Sequence, residues 1–437
     1  MSAAQVGIAP VLNLRPAVGT RLMAGPSPAG GYEKLDDHRG RLGDRPAGGD
    51  WLLDTLAQSG LRGRGGAWFP TSRKWSSVAE NSDGHAVVVV NGSEGEPLSA
   101  KDRVLLTLRP HLVLDGAVLA AETLRADDIV IYLSRAATTT ERIVQQALKE
   151  RSRAGLNEPP IRIEKCAHRY IAGESSAVIN RVSGGLAKPM FTLKRSAEKG
   201  VNDQPTLVQN AETMAHAAMI ARYGSEWYRR LGTESCPGTG LMTLRGNVRR
   251  PGVYEVDLGS TVGGVLDATG GTVTAPAGAL LGGYFGTWLA PESLRDLPLD
   301  ADRLKKEFKA SFGCGILAVI PEGGCAIVES TRVLTYLAAE TAGQCGPCVN
   351  GLAALSETME RIAASQPEPD DYQRVTRWID MVRGRGACHH PDGAVGQLSS
   401  ALTVFKSHLA YHLEGRRCRG TQVQGFPRPP SPGEGWK

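Results

Sequence analysis

The chain has 437 residues, 41% hydrophobic and 22% charged, enough to bury more than one core and too mixed for a fibre or a disordered tail. No run approaches the ~20 uninterrupted apolar residues that span a bilayer, and the N-terminus lacks a secretion-signal pattern, so a cytoplasmic protein without direct membrane insertion is expected. The net charge of +5 is small and the basic residues are scattered, so nucleic acid is not implied, and eight cysteines in such a chain point to thiols, metal ligands or redox centres.

Residues 1–50 are rich in Gly, Pro and Ala without sustained periodicity and read as an N-terminal arm with one short helix. Leu52, Leu53, Leu56 and Leu61 then predict a helix running into Gly63, Gly65 and Gly66, at the start of an α/β domain spanning 51–235. Within it, Ala86–Val90 reads as a strand, His111–Leu124 as a helix, Ile129–Leu133 as a strand, Thr138–Arg151 as a helix and Ile161–Glu164 as a strand. That alternation implies a parallel sheet with right-handed crossovers, which binds ligands at the carboxyl ends of its strands. Around residue 235 the texture changes to short strand-like pieces and turn glycines, giving a small separate module over 238–292. From 328 to 418 the spacing is helical, and 419–437, rich in Pro and Gly, reads as a disordered tail.

Arg62-Gly63-Arg64-Gly65-Gly66 has the parts of a phosphate cradle: glycines that admit backbone amides to an anion, with charge from Arg62, Arg64, Arg73 and Lys74. Taken alone, it reads equally well as a tight turn between two helices. Asn91-Gly92-Ser93-Glu94-Gly95-Glu96-Pro97 follows the strand Val87–Val90 directly, and its amide and two acids suit a flavin edge and a carboxamide; alone, it is also an acidic turn. Tyr170-Ile171-Ala172-Gly173-Glu174-Ser175-Ser176, beyond the strand at Ile161, is by itself no more than a capped helix start.

Together with Val208-Gln209-Asn210-Ala211-Glu212-Thr213, these segments resemble the NADH-binding flavoprotein subunit of respiratory complex I, a family that includes diaphorase subunits of hydrogenases and formate dehydrogenases. The family's GRGGAGFPTG, N-x-D-E-G-E-P, Y-x-x-G-E-E-T and V-N-N-V-E-T motifs correspond to residues 63–72, 91–97, 170–176 and 208–213, and the resemblance covers about 20–415. It implies an α/β fold: an FMN-binding parallel-sheet domain, a ubiquitin-like SLBB domain at 238–292, carried by Gly246–Val256, and a C-terminal helical iron-sulfur bundle.

The resemblance also implies roles for residues. FMN would lie against Gly65 and Gly66, with Arg64 and Lys74 near its phosphate and Asn91, Glu94, Asn210 and Thr213 around ring and ribityl. Glu96 and Tyr170 would hold the nicotinamide of NADH or NADPH, with Glu174 close to the flavin, and Gly173, Ser175 and Gln209 complete the matching motifs. Phe69, Lys188 and Phe191 match positions beside the adenine, although Phe191 also reads as an ordinary core residue. The hydride step needs orientation and a polar field rather than an acid or base, so no catalytic residue is named.

The family's cluster motif, E-S-C-G-x-C-x-P-C with a later fourth cysteine, is matched by Glu340–Cys348 and Cys388, with Ala342 in the place of the first ligand. The C-x-x-C pair alone would suit a zinc knuckle or a redox disulfide. In this context Cys345, Cys348 and Cys388 are iron-sulfur ligands, for a 3Fe-4S cluster or for a 4Fe-4S cluster completed by water or a side chain such as His389 or His390. Cys166, Cys236, Cys314, Cys325 and Cys418 show no paired spacing and read as incidental thiols.

Departures from the family pattern sharpen the expectation. Trp68 replaces a small glycine and would stack on a substrate or narrow the pocket, while Ser93, Gln209 and Ser175 replace an aspartate, an asparagine and a glutamate. Losing the acid at Ser175 relaxes discrimination against NADPH. The reading is an NAD(P)H dehydrogenase of diaphorase type that reduces a ferredoxin or another iron-sulfur electron-transfer protein, guided by Arg374, Arg377, Arg383, Arg385, Arg416, Arg417 and Arg419. The alternatives are a relay or scaffold subunit that has lost dinucleotide binding, and a complex I subunit.

Overall fold

The computed structural model describes residues 21–416 together with 418, 420, 425, 426, 435 and 436, so residues 1–20 of the arm lie outside the described residues. The rest of the arm is anchored: the backbone N–H groups of Arg21, Leu22 and Met23 all donate to the buried carboxylate of Glu255, at 2.9–3.0 Å. The single helix expected there is Leu35–Leu42.

The first sheet has four parallel strands, β1 (Ala86–Gly92), β2 (Ala126–Ser134), β3 (Ile161–Cys166) and β4 (Thr206–Asn210), in the order β3-β2-β1-β4. Its central strands are continuous apolar runs because both faces are covered. Val88, Val90, Ile129 and Ile131 face the helices Pro110–Leu124 and Ala211–Arg229, while Val87, Val89, Val130 and Tyr132 pack with Val178 and Ile179 of the helix Ser175–Val182. Parallel register sets Asn91, at the end of β1, beside Asn210, at the end of β4. The ends of two adjacent strands therefore present amides side by side.

The second sheet is mixed: β5 (Thr239–Gly246), β6 (Gly252–Asp257), β7 (Pro276–Leu281), β8 (Thr287–Leu289) and β9 (Ile316–Pro321), ordered β6-β5-β9-β7-β8. This module does not end at 292, because β9 enters between β5 and β7, pairing parallel to one and antiparallel to the other. Without it both neighbours would present unpaired edges.

The helices Ala326–Ala339, Ala353–Ala363, Asp371–Val382, His390–Val404 and Lys406–Leu413 bury Leu334, Leu337, Leu355, Met359, Ile379 and Leu398 and pack on Leu280 and Trp288 of the second sheet. Of the tail 419–437, residues 420, 425, 426, 435 and 436 are described and the rest lie outside the described residues. Phe426 is buried and stacks on Trp288 with ring centroids 5.6 Å apart, and the Gly425 N–H donates to Glu329 at 2.7 Å. An aromatic and a backbone donor thus find buried partners that composition does not reveal. Among the described residues no single helix is long and apolar enough to cross a membrane.

Candidate functional site

The three loops singled out in the sequence converge on one cleft of ≈ 250 Å³ at the carboxyl ends of β1 and β4. Gly65, Asn91, Glu96, Tyr170, Gly173 and Asn210 all line it. Asn91 Nδ2 donates to the Gly173 carbonyl at 2.8 Å and accepts at Oδ1 from Ser93 Oγ at 2.8 Å, fixing the second loop to the third. The approach is close enough to require glycine: a β-carbon on Gly95 would stand 2.6 Å from the Tyr170 carbonyl oxygen.

Glu96 is the buried acid of this wall. Its carboxylate accepts from Tyr170 Oη at 3.1 Å and from the backbone N–H of Tyr284 and Leu98 at 2.8 and 3.2 Å. Burial outweighs these bonds and pushes its pKa up to about 7. Glu94 and Glu174 also line the cleft but spend their carboxylates on helix starts: Glu94 accepts from the N–H groups of Asp102 and Arg103, and Glu174 from those of Ser176 and Ala177. Ser175 is the first residue of the helix that Glu174 caps.

Sequence reasoning missed the cleft's charged floor. Lys101 Nζ, fully buried, lies 2.9 Å from both Asp102 and Glu212 and 3.2 Å from Asn210 Oδ1, while Asn210 Nδ2 donates to Asp102 at 2.8 Å. Burial raises the Asp102 carboxyl to about 6, against the pull of Lys101. The signal was position: Lys-Asp opens the helix Lys101–Leu108 directly behind the acidic loop. Cys314, read as incidental, also lines the cleft, 3.3 Å from where a β-carbon on Gly66 would stand, and burial pushes its thiol up to about 12, which keeps it protonated.

Behind the glycine loop, Lys74 is half-buried with its Nζ donating to the Val208 carbonyl, and desolvation alone lowers its pKa to about 8. Thr71 Oγ1 and Gln209 Oε1 are buried without partners among the described residues. A half-buried cation with no facing carboxylate, in a loop region with open polar atoms, fits an anionic group such as the phosphate of FMN. Arg64 does not offer its guanidinium there; that group bonds Tyr228 Oη and the Thr239 carbonyl, both at 2.9 Å, and lies 4.4 Å over the Trp68 ring. Its backbone N–H donates to Thr213 Oγ1 at 2.9 Å. Trp68 corrects the expectation of an indole in the pocket: it adopts φ +54° and turns into the core of the second sheet, donating to the Gly313 carbonyl and meeting Phe312 edge-on. Phe69 and Phe191 are exposed, at 53% and 79%, so Phe191 is not a core residue. Lys188 donates to the Ala342 carbonyl at 2.8 Å and lies under the Trp436 ring, 5.0 Å from its centre.

A second, smaller pocket adjoins the cleft. Cys345, Cys348 and Cys388 line it together with Ala342 and His390, and Ile171 and Cys388 belong to both walls. The turn Pro347–Leu352 is π-helical, a local widening of the kind that recurs at functional sites. The two histidines part ways: His389 is exposed beside Asp392, whereas His390 is buried, with Nε2 bonded to the Leu337 carbonyl at 2.8 Å and Nδ1 unpartnered among the described residues. Three sulfur ligands and an unspent imidazole nitrogen around one pocket suit an iron-sulfur cluster.

Comparison with known proteins agrees with this geometry. The profile of the Nuo51 FMN-binding domain matches residues 56–219, and that of the NADH-ubiquinone oxidoreductase-F iron-sulfur binding region matches 329–412. The NADH-quinone oxidoreductase F 2 subunit of Rhizobium meliloti (strain 1021) is 30% identical over 401 residues, covering 89% of this chain and 94% of the relative. The corresponding F subunit of Streptomyces coelicolor is 32% identical over 401 residues, covering 89% of this chain and 87% of the relative. Among solved structures, an NAD+-reducing NiFe-hydrogenase in the H2-reduced state superposes with a TM-score of 0.75 at 28% identity, over 87% of this chain and 63% of the hydrogenase chain. This chain therefore spans less than two thirds of the hydrogenase chain it matches.

Proposed function

Because the chain belongs to the family of NADH-quinone oxidoreductase F subunits, we propose that its cleft takes a hydride from NADH onto FMN and that the three-cysteine pocket passes the electrons on singly. It is an oxidoreductase with an FMN-binding domain and an iron-sulfur region, of a family whose members hand electrons to iron-sulfur partner subunits. Bound FMN supplies the two-electron acceptor, and the cluster the one-electron exit.

The chain's own residues do the rest. Lys74 and the glycine loop meet the phosphate, Asn91 and Asn210 orient the flavin edge, and Glu96 with Tyr170 receives the carboxamide. Cys345, Cys348 and Cys388 hold iron, and His390 Nδ1 takes the position that Ala342 leaves without a thiolate, its ring fixed by the bond to Leu337. The observation that carries this reading is the wall shared by cleft and cysteine pocket, Ile171 and Cys388. Trp68 is turned away, which removes one ground for a relay that has lost its dinucleotide site, while Ser93 and Ser175 stay as its other grounds.

The acceptor we infer is a small acidic ferredoxin in the cytoplasm. Arg377, Arg383 and Arg385 are exposed close to Cys388 in sequence, while Arg374 is tied to Glu368 and Asp371. Arg417 and Arg419 lie outside the described residues. The test is anaerobic purification with flavin and iron analysis, followed by spectroscopic titration with NADH and NADPH. Bleaching of bound flavin by either dinucleotide is expected; flavin that is bound but reduced by neither would make the chain a relay.

A further inference from the structure

Three side chains that the flavin and iron pockets do not use form a separate cluster: Cys325, His412 and Cys418, all buried, with their ligand atoms within 4.8 Å of one another. Cys325 stands at the N-cap of the helix Ala326–Ala339, His412 in the last turn of Lys406–Leu413, and Cys418 in the segment that follows. Sequence spacing does not announce them, since 87 residues separate the first two. The fold alone brings them together.

Their geometry is that of ligands without an ion. Cys325 Sγ lies 3.3 Å from His412 Nε2, and the other ring nitrogen of His412, Nδ1, lies 3.1 Å from Ser365 Oγ. An Nδ1–H donated to Ser365 leaves the Nε2 lone pair facing the sulfur, which is how a metal-binding imidazole is oriented by its second nitrogen. Bond lengths of about 2.3 Å for Zn–S and about 2.0–2.1 Å for Zn–N, at tetrahedral angles, separate sulfur from sulfur by about 3.8 Å and sulfur from nitrogen by about 3.6 Å. The 3.3 Å between Cys325 Sγ and His412 Nε2 needs a shift of only a few tenths of an ångström, and Cys418 Sγ lies within 4.8 Å of both; a Cys325–Cys418 disulfide would instead bring its sulfurs to about 2.05 Å and leave the histidine without a role.

We propose that Cys325, His412 and Cys418 bind one Zn²⁺, with water in the fourth position. Two thiolates and one imidazole in a tetrahedral set suit zinc among the common ions, and burying two sulfurs together is favourable once a dication replaces their protons. The ion has a structural task. Past Cys418, Gly420 sits against the start of the helix Ala326–Ala339, where a β-carbon on it would stand 2.4 Å from Cys325 Cβ, and Phe426 stacks on Trp288. Zinc would pin a Pro- and Gly-rich segment, which has little core of its own, onto the bundle.

The experiment is metal analysis of the full chain, purified anaerobically with its flavin and iron, together with zinc K-edge absorption. The expected result is about one zinc per chain in addition to iron, with a first shell of two sulfurs, one nitrogen and one oxygen. Cys418→Ser and His412→Gln should each lose the zinc and melt at lower temperature, while flavin and iron contents stay at the wild-type level. The proposal is overturned if the wild-type protein, loaded with flavin and iron, carries no zinc. It is equally overturned if a Cys325→Ser/Cys418→Ser double variant keeps its zinc, or if intact mass of the unreduced protein shows two hydrogens lost to a Cys325–Cys418 disulfide. Because the wild-type measurement needs no variant to fold, and flavin and iron are counted separately, failure here is distinguishable from failure of the proposed function.

Discussion

Gly95 rests on the carbonyl of Tyr170 with no space between them for a β-carbon. The contact joins the loop after β1 to the loop after β3, so the shape of the cleft depends on it. Gly95→Ala is expected to force the two backbones apart at a cost of about 1–3 kcal/mol and to lower the FMN retained per chain after gel filtration. Gly396→Ala, in open space on a helix, should leave flavin content unchanged and hold or raise the melting temperature. Equal flavin content in both variants would mean that the loops do not form the flavin wall.

Glu96 makes the fold sensitive to pH in a direction that can be worked out. Its pKa rises from the ordinary 4.5 to about 7 on folding, so between those values the native state holds a proton that the unfolded chain has released. Stability contributed by that proton therefore falls as pH rises through this window and is gone above about 7. Glu96→Gln has no proton to lose. Relative to wild type it should gain roughly 2–3 kcal/mol between pH 5 and pH 8 in denaturant titrations. Parallel pH profiles for the two proteins would refute the assignment.

Ser175 sits where the family pattern has a second acid, at the start of the helix capped by Glu174. Wild-type protein should accept NADPH and NADH with comparable kcat/KM, and Ser175→Glu should lower kcat/KM for NADPH about tenfold, or 1.4 kcal/mol, through repulsion of the 2'-phosphate, with little change for NADH. Strong NADH preference in the wild type would remove the premise.

His390 and Ala342 flank the same pocket, one offering a nitrogen and the other lacking a sulfur. Pulsed EPR of the reduced cluster should detect nitrogen coupling that vanishes in His390→Leu, leaving a three-thiolate site that converts readily to the three-iron form. Ala342→Cys in that background should restore a four-iron cluster. Its potential should be lower than the wild type's, because replacing imidazole by thiolate favours the oxidised state.

The loops were legible because their chemistry is local. Glycines such as Gly95, which admits a second backbone, and Gly66, which turns the chain at φ +109°, and polar residues ending an apolar strand, such as Asn91, mark themselves without reference to anything distant. Lys101 and Asp102 were not, because a Lys-Asp pair at a helix start looks the same whether solvated or buried under Asn210 and Glu212. Trp68 was misjudged for a related reason, since Phe312 and Gly313, from elements distant in sequence, claim the indole; Arg64 lines the cleft, but Tyr228 and Thr239 take up part of its guanidinium in a way that spacing does not reveal. The fifth strand of the second sheet, Ile316–Pro321, is an evident apolar run whose partners cannot be read from spacing. Cys325 and Cys418 likewise become neighbours only in three dimensions.

Ile171 and Cys388 form part of both compartments, so a flavin held in the cleft and a cluster held by the three cysteines would be separated by one shared wall. A wall shared in this way would let an electron pass between the two groups without any intervening carrier. It also ties the fortunes of the two centres together. Oxidative loss of iron would slacken the partition, and an apparently intact flavoprotein would be left with its exit closed and its reduced ring open to oxygen.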